Sequence, residues 1–162
     1  MFVLAVGPVD AWAEMYAEST AISAGVEFVH LFSLVIAGGF ALAYDRQVLA
    51  SAGQISPRAG FAAELATAHT PVLVGLTLVF VSGGLLLAAD LESFLSSRMF
   101  WMKMGALALL LLNGLAIRRA NNRLVRSQVD VRSWRALRHG AARSMLLWTG
   151  TVLLGVLLTR MG

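Results

Sequence analysis

The chain has 162 residues, of which 58% are hydrophobic and only 14% charged, with a formal net charge of +4. Its mean hydropathy is +0.75. Too few charges are present to cover a soluble domain of this size, and the absence of cysteine excludes disulfides, thiolate metal sites and cysteine nucleophiles.

In chain order, residues 1–6 are apolar but too short for the core of a signal peptide, so no cleavable leader is expected. Residues 10–24 carry Asp10, Glu14 and Glu18 and read as an acidic helix, with Trp12 and Tyr16 near a membrane interface. Four apolar segments follow, near 22–44, 65–89, 99–117 and 141–159. Each approaches the roughly 20 residues that a helix needs to cross a bilayer. Leucine runs without period-2 alternation exclude a β-barrel. The expected fold is therefore all-α, a single integral membrane domain built as a four-helix bundle.

Charge fixes the expected orientation. Arg118, Arg119, Arg123, Arg126, Arg132, Arg135, Arg138 and Arg143 are eight of the 13 basic residues, and the same stretch holds one acid, Asp130. Basic connections stay cytoplasmic. Both termini are then outside, periplasmic in a bacterial inner membrane. The first link, 45–64, balances Arg46 and Arg58 against Asp45 and Glu64, and the outer link holds Asp90 and Glu92. Within 118–140, Leu124, Val131, Trp134 and Leu137 recur at helical spacing. The expectation is a cytoplasmic amphipathic helix lying on anionic inner-leaflet lipid. Nucleic acid is excluded as a partner, because the positive charge follows topology.

Small residues mark where helices approach in lipid. Gly38, Gly39, Gly75, Gly83, Gly114 and Gly150 are the candidates for packing, and Asn113 for an interhelical hydrogen bond. His69–Thr70–Pro71 reads as a helix start, with Pro71 in the first turn.

Glu27 and His30 share a face of the first span. Lys103 enters the third from the same outer side, so Glu27, His30 and Lys103 form an expected outer polar cluster, with Glu27 and Lys103 paired. Ionisable groups inside a membrane face the protein interior and seek partners. His69 and His139 both stand at cytoplasmic span ends, where they could hold a b-type haem between them. His30 is a separate metal-ligand candidate. Histidines without any cofactor are the simpler reading.

The run VEFVHLFSLVIAGGFALAYDR, carrying His30 and Asp45, resembles the first span of small bacterial inner-membrane proteins of unknown function, loosely grouped with copper-resistance D-type proteins. The run FWMKMGALALLLLNGL, with Lys103 and Asn113, is similar to their third span, and Gly83 fits their second. The resemblance implies a four-helix bundle and suggests metal handling. Met99, Met102 and Met104 are the one methionine cluster and read first as packing.

No phosphate loop, metalloprotease motif, dinucleotide fingerprint or serine elbow is present. The leading expectation is a non-catalytic multi-pass protein, acting as an accessory or assembly subunit or as a homo-oligomer. The alternatives are a haem- or metal-binding redox component and a small oligomeric transporter.

Overall fold

The computed structural model describes residues 7–51, 61–126 and 131–161. Residues 1–6, Arg58, the side chain of Glu64 and Asp130 lie outside the described residues. Six helices follow one another: α1 (Pro8–Glu18), α2 (Thr20–Ala50), α3 (Phe61–Ala89), α4 (Leu91–Ser96), α5 (Arg98–Arg126) and α6 (Val131–Met161). Four of them, α2, α3, α5 and α6, are long and apolar enough to cross a membrane. The protein is an all-α, multi-span membrane protein.

Local chemistry sets the helix ends. Pro8 occupies the first turn of α1, and the Asp10 carboxylate accepts from the Gly7 N–H at 3.1 Å. Ser19 separates α1 from α2, and its hydroxyl accepts from Ile22 N. Asp90 caps α4 in the same way through Ser93 N at 3.3 Å. α1 returns against α2 and α3, where Trp12 Nε1 donates to the Leu85 carbonyl at 2.9 Å. A second indole, Trp101 Nε1, donates to Leu95 O at the same end. Tryptophans of this kind suit the membrane–water boundary.

The long helices pack antiparallel in chain order. α2 lies along α3 and α6, α5 lies along α6, and α3 touches α5 more sparsely. Among the described residues the backbones of α3 and α6 make no close approach. Contact between α2 and α3 is tightest where Gly75 faces Ala37: a Cβ on Gly75 would sit 2.9 Å from the Ala37 Cβ and 3.1 Å from the Ser33 carbonyl. Gly38 leaves room for the Trp148 ring, whose Cε3 lies 3.2 Å from where a Cβ would stand. Ala37, Leu110 and Trp148 make one buried cluster at mid-height. A larger one, Tyr44, Val48, Ile117, Ala120, Leu124, Trp134, Leu137 and Ala141, fills the arginine-bearing end.

Within 118–140, α5 continues to Arg126 and α6 begins at Val131, and the two pack on each other, with α2 against α6. Of the apolar residues at helical spacing there, Leu124, Trp134 and Leu137 are buried against protein and Val131 is exposed, while the arginines are exposed except Arg138, which is half-buried. Pro71 also differs from expectation. It lies inside α3, ten residues after its start, a placement that membrane helices tolerate. Asp45 likewise belongs to a helix, since α2 runs on to Ala50.

Candidate functional site

At the α1 end, four helices supply polar or small residues to one level. His30 on α2 places Nδ1 3.0 Å from the Ser82 hydroxyl on α3. Ser82 Oγ in turn lies 2.6 Å from the Leu78 carbonyl, which has no proton to give, so Ser82 donates there. Nδ1–H is then the donor to Ser82, and Nε2 keeps a lone pair. The ring rests on Gly83, with Cε1 3.3 Å from the position a Cβ would take. Lys103 on α5 is half-buried and within electrostatic reach of His30. Its Cε and Nζ cross to α6, 3.9 and 3.8 Å from the Gly155 Cβ position. The lysine is thus directed across the helices, toward α6.

Glu27 does not pair with Lys103. Its carboxylate accepts from the Tyr16 hydroxyl at 3.0 Å, and Glu27 itself is exposed. Partial burial and then the Glu27 carboxylate push the Tyr16 phenol above its ordinary range. Tyr16 therefore remains a neutral donor, and α1 stays tied to α2 at neutral pH. The sequence could not show this, because α1 has to fold back before Tyr16 meets Glu27.

At the arginine end the two histidines have different surroundings. The His69 ring faces Tyr44 at 5.7 Å between centroids, with Arg118 as the nearest influential charge. His139 is exposed and lines a hollow with Leu49, Arg135, Arg138 and Ala142. The two histidines stand on α3 and α6, whose backbones make no close approach among the described residues. His30 is at the opposite end of the spans. No group of three or more His, Cys, Asp or Glu side chains among the described residues is placed to hold a metal ion.

Asp45 is the site residue that sequence reasoning underrated. It is 2% exposed, accepts from Ser144 on α6, and leaves Oδ2 without a hydrogen-bond partner. The Tyr44 hydroxyl and His69 Nε2 are also buried without one. Between this level and that of His30 lies the apolar layer of Ala37, Leu110 and Trp148. His30 and Asp45 are 15 residues apart on one helix, roughly 22 Å along its axis.

The packing residues divide in the same way. Asn113 Nδ2 donates to the Gly140 carbonyl at 2.9 Å, linking α5 to α6. Gly38, Gly75 and Gly83 stand at helix contacts, whereas a Cβ on Gly39, Gly114 or Gly150 would meet nothing within 4 Å. Those three face outward, because the helix rotation that decides this is set by the partners. Gly140 was missed, although a Cβ there would come within 2.7 Å of Ile117 Cγ1.

No family model, curated protein or solved structure matches the chain.

Proposed function

We infer that this is a non-catalytic accessory protein of a bacterial inner membrane, a four-helix bundle whose working element is a binding site for an anionic amphiphile in the outer half of the bilayer. One observation carries the reading. The Lys103 ammonium is drawn into the helix interior, against Gly155 and near His30, while the acid expected to neutralise it is engaged elsewhere. A lysine within a membrane costs about 2.5–3.5 kcal/mol at mid-span and persists where it meets a partner. An anionic oxygen beside Lys103 supplies that partner, and His30 Nε2 accepts from a hydroxyl on the same ligand. Gly83 and Gly155 keep Cβ atoms out of the space.

The other readings find less support. A haem held between His69 and His139 finds little support in their surroundings, since the His69 ring lies against Tyr44 and His139 is exposed. A polar path for transport would have to cross the layer of Ala37, Leu110 and Trp148.

The test is the amphiphile that travels with the full chain purified in neutral detergent. Mass spectrometry of wild-type protein is expected to show a retained anionic amphiphile at near-stoichiometric ratio. Lys103→Met is expected to lose at least 90% of it, and Lys103→Arg to keep most. Equal retention by Lys103→Met and wild type, both eluting as one folded species, would overturn the reading.

The same proposal places both termini in the periplasm. The chain has no cysteine, so single substitutions report sidedness cleanly. Glu92→Cys is expected to react with an impermeant maleimide in intact cells, and Arg123→Cys only after permeabilisation. The reverse pattern would invert the orientation.

A further inference from the structure

At the arginine end, α2 and α6 enclose a hollow of about 300 Å³ lined by Leu49, Arg135, Arg138, His139 and Ala142. Two guanidinium groups and an imidazole line it, and no acid among the described residues does. Like charges gathered around one space repel unless something negative lies between them. Arg138 is half-buried beside the hollow, and Arg135 and His139 are exposed.

At the end of α2 the Gln47 carbonyl accepts from the Ser51 N–H at 3.2 Å. The hollow also has an apolar side, formed by Leu49 and Ala142. Leu49 is one residue from the end of α2, which sets the hollow at headgroup depth. Basic pockets between membrane helices on this side suit anionic headgroups.

We propose that this hollow is a specific site for the phosphodiester of an anionic phospholipid in the leaflet at the arginine end. Arg138 meets two phosphate oxygens through its terminal guanidinium nitrogens, the two-point geometry that favours Arg over Lys for phosphate. Arg135 and His139 close on the same group from the exposed side. Leu49 and Ala142 receive the glycerol and the first methylenes of an acyl chain. The site stands independently of Lys103, which lies at the other end of the spans.

The test uses the full chain in nanodiscs of phosphatidylcholine into which phosphatidylglycerol is titrated, with lipid retention read by native mass spectrometry. Wild type is expected to retain one phosphatidylglycerol through delipidation. Arg135→Gln with Arg138→Gln is expected to weaken retention at least tenfold. The control, Arg119→Gln with Arg123→Gln, removes the same charge from exposed positions on α5 and is expected to retain the lipid. Arg138→Lys keeps the charge but loses the guanidinium fork, and should retain it several-fold less well than wild type. Should the double variant fold poorly, Arg135→Gln alone, at an exposed position, carries the test. Equal loss in the control pair would reduce the effect to general surface charge and overturn the site. Displacement by millimolar inorganic phosphate would also overturn it, since the site would then recognise a free ion.

Discussion

Gly75→Leu is expected to disrupt the contact between α2 and α3. An added Cβ at this position already falls 2.9 Å from the Ala37 Cβ and 3.0 Å from its backbone nitrogen, with the Ser33 carbonyl 3.1 Å away. Two of these three atoms are backbone, so no rotamer change relieves the clash and the helices must separate. Gly75→Ala is expected to cost about 1–3 kcal/mol, as overpacking generally does, and Gly75→Leu more. Lipid offers no hydrophobic drive to hold separated helices together. Unfolding in mixed micelles titrated with SDS gives the measurement. Gly84→Ala is the control, with nothing within 4 Å of its Cβ position. There the change should be neutral or stabilising by up to about 1 kcal/mol, because alanine favours helix over glycine. Equal destabilisation at positions 75 and 84 would refute the close approach.

Leu137→Ala is expected to cost about 2–5 kcal/mol, the range for emptying a fully buried leucine site. Leu137 is 0% exposed and is enclosed by Tyr44, Val48, Ile117, Leu124 and Trp134, among others. The comparison is Leu146→Ala, 75% exposed on the same helix, which should stay within about 0.5 kcal/mol. The contrast separates two architectures for the arginine-rich stretch. Were 131–140 a helix resting on lipid, Leu137 would face acyl chains and its truncation would resemble that of Leu146.

The four spans were legible because hydrocarbon imposes length and apolarity on any crossing helix. Where those helices end was less legible. α5 and α6 continue beyond the apolar segments, since Leu124, Trp134 and Leu137 find one another. Their period is the same whether an apolar stripe faces a leaflet or a neighbouring helix, so the sequence alone does not name the partner. Asp45 was read as part of a link because charge usually marks one. In the fold, Ser144 accommodates it inside the assembly.

The candidate site was legible in its members and not in its pairings. His30 and Lys103 share an end of the protein, which the counting of spans predicts. Which side chains meet depends on helix rotation and on which helices are neighbours. Tyr16 took Glu27 from Lys103 because α1 folds back. His69 and His139 share an end, but His69 lies against Tyr44 while His139 is exposed. Gly38 and Gly39 are adjacent in the chain, yet one abuts Trp148 and the other faces open space.

The fastening of α1 has a kinetic consequence. Trp12 holds it to α3 and Tyr16 holds it to α2, so it lies as a strap over the end where His30 and Lys103 sit. α3 and α5 meet only along a sparse seam, which is the lateral route that a ligand from the bilayer would use. A greasy acid bound at Lys103 would arrive by lateral diffusion through the oil phase, and its rate of capture would follow its mole fraction in the bilayer instead of its concentration in water.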